Sequence, residues 1–317
     1  MTNILTVTLN PTVDISSEAE VIRPVRKVRT HNDRFDPGGG GINVARVISR
    51  FGGGVEALYL AGGEIGALLD RLLKEQGVPG HRVSVDGQTR IGFVVFEEST
   101  GLEYRFVPEG PRIGEEHLTQ CLDVVTSHGG DYVVCSGSLP AGAPDDIYAR
   151  MAAAAASRGA RFVLDSSGPG LRTTLERSRA FLVKPSKGEL EQLVGRKLDA
   201  DGVAAAAADL VKRDIAELVA VTMGGDGALL ASKNGVFRLP AIPVRVRSAV
   251  GAGDSFLAGM LWALLRGDEP EQAFALGVAA GAAAVMTPGT ELCERESVFA
   301  LYDAHGKDAA NPPRGAE

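Results

Sequence analysis

The strongest constraint on this chain is a regular alternation of short apolar runs with longer amphipathic or Ala-rich runs. The short runs have the length and composition of buried strands, and they cover residues 4–9, 55–60, 132–135, 161–165, 180–184, 218–222 and 228–231. Helical periodicity falls between them, over residues 41–51, 65–76, 145–158, 203–212, 255–266 and 272–286. Strands that alternate with helices predict βαβ units and a central, mostly parallel sheet with helices on both faces.

Two segments interrupt this pattern. Residues 16–35 show little helical signal and carry several arginines and a lysine, and residues 89–107 alternate apolar and polar side chains in places. Both are predicted to be β-ribbons, inserted at about residues 14–36 and 88–107, that form a small β-sheet lid over the mouth of the main domain. We therefore expect one α/β domain over residues 1–305, followed by a polar, disordered tail over residues 306–317.

Composition narrows the classes of function. The chain has 317 residues, with 33 Lys and Arg against 40 Asp and Glu, and so a formal charge of −7. Such a chain, without a basic tract, is poorly suited to nucleic acid or a membrane surface, and we expect neither partner. The three cysteines form no Cys-x-x-Cys pair, and the first residues lack a secretory pattern, so we expect a cytoplasmic protein. The five histidines lack metal-ligand spacing, which argues against a zinc site.

The most informative motif is the glycine-rich stretch over residues 248–256, which leads into a predicted helix. Its small residues allow backbone N–H groups to converge at the positive end of the helix, an anion site suited to a phosphoryl group. Asp254 has no metal-ligand partner close in sequence, and its position suits a base that takes a proton from a hydroxyl attacking that phosphoryl group. An ordinary Asp N-cap after a glycine-rich turn would show the same pattern.

A second glycine-rich stretch, residues 35–45, opens another predicted helix. Four consecutive glycines precede Asn43, so that a sugar can lie against the backbone while Asn43 binds a hydroxyl or a phosphate. A flexible linker is the alternative, but linkers rarely run straight into an amphipathic helix. The stretch lacks the Gly-Lys-Ser/Thr of a Walker A loop and the spacing of a Rossmann motif, and protein kinase signatures are also absent.

These two motifs, in this order, resemble those of the ribokinase-like (PfkB) carbohydrate kinases, and within that family the bacterial minor 6-phosphofructokinases are the most similar group. The resemblance covers nearly the whole chain. It extends to Thr8-Leu9 with Pro11 and Asp14, Lys27-x-Arg29, Thr89-Arg90, Tyr104-Arg105-Phe106, Ser136-Gly137-Ser138-Leu139-Pro140, Asp165-Ser166-Ser167-Gly168, Val183-Lys184-Pro185 and Gly289-Thr290-x-Leu292-Cys293. It implies a ribokinase-like fold and transfer of a phosphoryl group from ATP, with Mg²⁺, to the C1 hydroxyl of fructose 6-phosphate.

The resemblance also implies roles for single residues. Asp254 would be the catalytic base, beside an anion hole formed by the backbone of Gly251, Ala252 and Gly253. The sugar and its 6-phosphate are expected to bind to Asp14, Lys27, Arg29, Gly39, Gly40, Asn43, Arg90, Arg105 and Ser138. The nucleotide is expected at Lys184, Ser186, Thr222, Gly224 and Gly227. Glu189 would hold Mg²⁺ through water, and the carbonyls of Ser248 and Val250 are candidates for a monovalent cation such as K⁺.

The family's monovalent-cation site also uses carbonyls of the loop over residues 284–289. The chain departs from the family pattern at three positions: Ser186 replaces the Asn of an Asn-x-x-Glu motif, and Pro288 and Glu291 differ in and beside that loop. Sibling activities remain open, because a tagatose-6-phosphate kinase or a 1-phosphofructokinase differs little in what its pocket must bind. A non-catalytic regulator that only binds sugar phosphate is a further alternative, although Asp254 and its glycines argue against it. The family also implies a homodimer formed through the lid, in which Lys27 can serve the neighbouring subunit's site.

Overall fold

The computed structural model describes residues 4–306, and all structural statements refer to that range. Its strands are β1 (Ile4–Thr8), β2 (Thr12–Ala19), β3 (His31–Gly38), β4 (Val55–Ala61), β5 (Gly80–Ser84), β6 (Arg90–Glu97), β7 (Leu102–Phe106), β8 (Tyr132–Ser136), β9 (Arg161–Asp165), β10 (Ala180–Val183), β11 (Ala216–Thr222), β12 (Ala228–Ser232) and β13 (Gly235–Leu239). Its helices are α1 (Gly40–Arg50), α2 (Gly63–Glu75), α3 (Glu115–Ser127), α4 (Ile147–Ser157), α5 (Gly168–Arg177), α6 (Lys187–Val194), α7 (Ala200–Lys212), α8 (Ala252–Leu265), α9 (Pro270–Ala284) and α10 (Arg295–His305). Beyond Gly306, the predicted tail lies outside the described residues.

Nine strands form the large sheet, in the order β13-β12-β11-β10-β9-β8-β1-β4-β5. They are parallel from β11 to β5, whereas β12 and β13 run antiparallel at one edge. Successive side chains of a strand enter the two opposite cores, as Ile4 and Leu5 of β1 do. Helices α1, α2, α8, α9 and α10 cover one face and α3 to α7 the other, which confirms the predicted layers.

The site is positioned by the carboxyl ends of four neighbouring strands, β1, β8, β9 and β10. Because these strands are parallel, their ends meet at one edge of the sheet, where open α/β sheets bind ligands. Ser136 ends β8, Asp165 ends β9 and Lys184 follows β10, so three polar residues that are far apart in sequence come together there.

Helix α8 carries the predicted base and is held in place by close packing. Its side chains from Ser255 to Ala263 are buried, mainly against α9. Small residues permit this approach: a Cβ on Gly259 would lie 2.8 Å from the Cβ of Ala280. None of the helices in residues 4–306 combines the length and apolar character needed to cross a membrane.

A separate four-stranded sheet, in the order β3-β2-β6-β7, corresponds to the predicted lid. Strands β2 and β6 are parallel, and the outer pairs are antiparallel. Asp14 on β2 faces the large sheet's edge and lines the cavity there, so the next residue, Ile15, faces away. In register with Ile15 lie Phe35, Phe93 and Phe106, which are 50%, 43% and 60% exposed. We call these four residues the apolar row.

Candidate active site

A cavity of about 310 Å³ lies between the small sheet and the edge of the large sheet. Many residues predicted from sequence line it: Asp14, Gly39, Gly40, Asn43, Arg90, Arg105, Ser138, Glu189, Val250, Gly251 and Asp254. They come from the small sheet, from the loops after β3 and β8 and before α8, and from the first turns of α1, α6 and α8. The fold therefore gathers into one cavity residues that are up to 240 positions apart, since Asp14 and Asp254 both line it.

Asp254 lies in the first turn of α8, directly after the glycine-rich turn. Gly251 is the N-cap, with a φ of 71° that favours glycine, and a Cβ there would lie 2.4 Å from Leu292. The Asp254 carboxylate caps nothing: its Oδ2 accepts a hydrogen bond from Nδ2 of Asn43 at 2.8 Å. The interpretation of Asp254 as an ordinary N-cap is therefore wrong.

Burial raises the pKa of Asp254 above its ordinary value, although the Asn43 hydrogen bond and the positive charge of Lys184 oppose the rise. A raised pKa brings a carboxylate closer to the working pH, which suits a general base. The first-turn N–H groups of α8 lie beside it with no side-chain cap, and that of Ala252 makes only a long 3.5 Å contact with the carbonyl of Ala249, so this turn offers donors to an anion.

Asp14 is held in a slot between two glycines on the neighbouring strands. A Cβ on Gly38 of β3 would lie 2.1 Å from Oδ2 of Asp14, and one on Gly92 of β6 would lie 2.5 Å from Oδ1. Burial raises the pKa of Asp14, against the lowering effects of a hydrogen bond with Thr12 and the charges of nearby arginines. Only glycine at these two positions leaves room for the carboxylate in this orientation.

Replacing Gly38 by Ala is expected to raise KM for the sugar substrate about tenfold, because the new methyl group displaces the Asp14 carboxylate. Steady-state kinetics with varied sugar phosphate at saturating ATP will measure this change. Gly129→Ala is the control, since a Cβ there meets no atom within 4 Å and its φ is not positive. An unchanged KM in Gly38→Ala would contradict a substrate-binding role for Asp14.

The predicted phosphate-binding cations fall into two groups. Arg90 and Arg105 line the cavity, whereas Lys27 and Arg29 are exposed in the connection between β2 and β3 and are absent from its described lining. Arg90 donates to the carbonyls of Asn10, at 2.7 Å, and of Pro11 and Pro108, so it also braces the backbone around the cavity. Within one chain, the structure therefore does not bring all four cations together.

Two residues to which the sequence motifs assigned no role, Ser136 and Asp165, also line the cavity. Ser136 faces the first turn of α1, where a Cβ on Gly40 would lie 2.2 Å from its Oγ. Asp165 pairs with Lys184 at 3.0 Å; the Lys184 side chain is buried, and that of Asp165 is 13% exposed. Burial raises the pKa of Asp165 to about 6 despite Lys184, while the carboxylates around Lys184 outweigh its burial and raise its pKa. An acidic residue at the end of a predicted strand was the signal that could have identified Asp165.

A second cavity, of about 610 Å³, lies on the other side of the α8 N-terminus. Thr222, Gly224 and Gly227, all predicted to bind nucleotide, line it together with apolar side chains such as Ile242 and Val246. Its wall includes Gly253, whose Cβ position would lie 3.3 Å from Nζ of Lys184. The glycine-rich turn therefore separates a polar cavity from an apolar one, and Lys184 reaches the boundary.

Ser186, the departure from the family pattern, has a clear local role as the N-cap of α6. Its Oγ accepts from the N–H of Glu189 at 3.3 Å, and its own N–H and Oγ donate to Oε2 of Glu189. This capping box fixes the Glu189 carboxylate at the edge of the first cavity. Among the described residues that line the two cavities, Ser186 is absent, so its predicted contact with nucleotide stays a prediction.

The predicted monovalent-cation site around Ser248 and Val250 is hydrogen-bonded to the small sheet. Ser248 is buried, and its Oγ accepts from the N–H of Val250 at 3.2 Å and donates to Glu103 of β7 at 2.7 Å. Nearby, Glu291 pairs with Arg34 of β3 at 2.9 Å. Both contacts join the small sheet to loops that flank the α8 N-terminus.

Comparison with known proteins agrees with this arrangement. The model of the pfkB family of carbohydrate kinases matches residues 7–297. The chain belongs to this family. This confirms the resemblance inferred from the motifs. The glycine-rich turn and all the lining residues of the first cavity lie within the matched range.

Three relatives of this pfkB kinase are informative. The ATP-dependent 6-phosphofructokinase isozyme 2 of Mycobacterium tuberculosis H37Rv is 41% identical over 303 residues, 95% of this chain and 89% of the relative. The 1-phosphofructokinase of Bacillus subtilis is 35% identical over 291 residues, which are 91% of this chain and 95% of the relative. Phosphofructokinase-2 of Escherichia coli, crystallised with fructose 6-phosphate, superposes with a TM-score of 0.91 at 35% identity, over 97% of this chain and all of the other. That protein has also been crystallised with potassium and in a tetrameric inhibited form.

Proposed function

We propose that this chain is an ATP-dependent 6-phosphofructokinase, which phosphorylates the C1 hydroxyl of fructose 6-phosphate to give fructose 1,6-bisphosphate. The observation that carries the proposal is the position of Asp254 beside the glycine-rich turn, at the boundary between a polar cavity and an apolar one. The polar cavity suits a sugar phosphate and the apolar one an adenine ring. The names of the Mycobacterium tuberculosis and Escherichia coli relatives support the same reaction.

The arrangement of groups suits an in-line phosphoryl transfer. Asp254 accepts the proton of the C1 hydroxyl as the oxygen attacks the γ-phosphorus, and the bond to the leaving oxygen of ADP breaks. The N–H groups around Gly251, Ala252 and Gly253 and the ammonium of Lys184 stabilise the charge on the transferring group. Asp14 and the backbone of Gly39 and Gly40 hold the sugar hydroxyls so that the C1 oxygen faces Asp254.

The residues present fit Mg²⁺, which prefers oxygen ligands and keeps several waters. Glu189 and Asp165 offer carboxylates at the wall of the first cavity, and the Ser186 capping box fixes the former. Bound with ATP, the ion would neutralise charge on the phosphates. A monovalent cation such as K⁺ is proposed at the carbonyls of Ser248 and Val250, supported by the potassium-bound structure of the Escherichia coli relative.

We further propose a homodimer formed through the small sheet, in which Lys27 and Arg29 complete the phosphate site of the partner subunit. The support is the apolar row, since large apolar side chains aligned across four strands, three of them exposed, are usually covered by a partner. The exposed cations in the β2–β3 connection belong to the same sheet. With the partner's pair added to Arg90 and Arg105, four cations would face a phosphate dianion.

The dimer predicts a clear change in mass for Phe93→Glu. A charge in the middle of the apolar row is costly to bury, so light scattering should give about 33 kDa, one chain, where the wild type gives twice that mass. Val236→Glu on β13 is the matched control, because Val236 is 41% exposed against 43% for Phe93 but lies on the other sheet. A wild-type mass of one chain would contradict the dimer.

We also propose that the enzyme works in the cytoplasm. The three cysteines, Cys121, Cys135 and Cys293, are free and buried. Burial raises the pKa of the Cys121 thiol to about 12 and that of Cys293 to about 11, which keeps these groups unreactive. Free thiols are typical of proteins in a reducing compartment.

A second candidate activity is that of a 1-phosphofructokinase, favoured by the similarity to the Bacillus subtilis relative. A coupled ADP-release assay with fructose 6-phosphate, tagatose 6-phosphate and fructose 1-phosphate separates these activities. The highest kcat/KM with fructose 6-phosphate is expected. A clear preference for fructose 1-phosphate would overturn the proposal, and binding of sugar phosphate without turnover would support a non-catalytic regulator.

A further inference from the structure

A buried arginine of α1, Arg46, is connected to the proposed base, Asp254, by hydrogen bonds through a single residue, Asn43. The side chain of Arg46 is only 1% exposed, and its guanidinium donates to four different groups. Nε donates to Gln76 at 2.7 Å, and Nη2 pairs with Asp36 at 3.0 Å. Nη1 donates to the carbonyl of Pro37 at 2.8 Å and to Oδ1 of Asn43 at 3.1 Å.

The contact with Asn43 determines which end of its amide faces the cavity. An amide has an acceptor end and a donor end, and Arg46 can bind only the acceptor end, because a guanidinium has no lone pair to offer. The donor end therefore faces Asp254, to whose Oδ2 it donates at 2.8 Å. Arg46 is itself fixed by Asp36, whose other oxygen accepts from Thr290 at 2.8 Å.

We propose that Arg46 is a positioning residue for catalysis, which acts by holding the Asn43 amide in the orientation that directs the Asp254 carboxylate towards the attacking hydroxyl. As a statement about catalysis, this rests on the proposed function. Arg46 does not line the cavity among the described residues, so its effect passes through Asn43 and not through substrate.

The electrostatics of Asp254 make this role measurable. Asp254 faces Lys184 and Asp165 from the large sheet, Asp14, Arg90 and Arg105 from the small sheet, and Glu189 from α6. Within this set, the Asn43 hydrogen bond lowers the pKa of Asp254, which burial raises. Without Arg46 the amide is free to turn, the hydrogen bond is lost, and the pKa of Asp254 rises further.

The test compares Arg46→Gln with Arg50→Gln, one helical turn further along α1. Arg50 is a matched control, because it also braces backbone, donating to the carbonyls of Leu292 and Cys293, but does not contact Asn43. Arg46→Gln is expected to lower kcat about tenfold and to shift the acid limb of the pH profile of kcat to higher pH. Arg50→Gln should do neither.

A double-mutant cycle separates positioning from a merely structural effect. In an Asn43→Ala background, Arg46→Gln should lower kcat much less than in the wild type, because the residue through which it acts is absent. Losses of kcat that simply multiply would overturn the proposal. If Arg46→Gln alone does not fold, Arg46→Gln with Asp36→Asn removes both buried charges, and the same comparison applies.

The deciding measurement needs no substrate, so it is independent of the proposed function. Carbon-13 NMR of the Asp254 side-chain carboxyl, assigned by its loss in Asp254→Asn, gives the pKa directly. A higher pKa in Arg46→Gln and an unchanged pKa in Arg50→Gln are expected. An unchanged pKa in Arg46→Gln would overturn the positioning role, whereas inactivity of the wild type on every sugar phosphate would overturn only the proposed function.

Discussion

Asp254→Asn is expected to lower kcat about 10²-fold or more while both substrates still bind. The amide has the shape of the carboxylate, and its oxygen can still accept the hydrogen bond that Asn43 donates at 2.8 Å. It cannot accept a proton at neutral pH, so the C1 hydroxyl must attack without a base. Steady-state kinetics give the loss of kcat, and calorimetry gives the affinities for fructose 6-phosphate and an ATP analogue.

The control for this variant is Asp268→Asn, which changes an exposed Asp just beyond the other end of α8. It should keep wild-type kcat. Normal turnover in Asp254→Asn would mean that the proton leaves by another route. A loss of affinity for fructose 6-phosphate as large as the loss of kcat would instead assign Asp254 to binding.

Lys184→Met is expected to lower kcat about 10²- to 10³-fold, the range for removing one group that stabilises transition-state charge. Lys184 is the buried cation nearest to Gly253 of the glycine-rich turn, and it pairs with Asp165 at 3.0 Å. Its removal takes away a positive charge from the transferring phosphoryl group. It also leaves Asp165 without its ion-pair partner, which raises the pKa of Asp165 further. Initial rates at saturating substrates measure the effect.

Two further variants distinguish a direct role of Lys184 in catalysis from an indirect effect of its removal. Lys233→Met, in the exposed β12–β13 turn, controls for the loss of one lysine and should leave kcat unchanged. Lys184→Met with Asp165→Asn removes the unpaired carboxylate. If the double variant recovers most of the activity, the loss in Lys184→Met comes from the stranded charge on Asp165, and a direct role for Lys184 in transfer is contradicted.

Much of the large sheet could be predicted from the sequence, because its central strands are continuous apolar runs. The elements without a prediction were β5, β13, α3, α5, α6 and α10. Strands β5 and β13 lie at the two edges of the sheet and are partly exposed, so they lack a buried strand's composition. Helix α5 begins Gly-Pro-Gly, and α6 depends on the Ser186 capping box, so neither shows a strong apolar period.

The candidate site could be predicted where one short motif contains the chemistry, as around Asp254 and Asn43. It could not be predicted where function depends on tertiary contact. The hydrogen bond between these two residues joins positions 211 apart, so nothing in the sequence spacing indicates that Asn43 contacts Asp254. Asp165 likewise matters only because β9 and β10 are neighbours.

The role of Asp254 as the catalytic base is tested most directly by a crystal structure of the chain with fructose 6-phosphate and a non-hydrolysable ATP analogue. We expect the C1 hydroxyl within about 2.6–3.2 Å of the Asp254 carboxylate, with the 6-phosphate against Arg90 and Arg105. A sugar bound with its C1 hydroxyl away from Asp254, or with its 6-phosphate at the Gly251–Gly253 turn, would contradict it.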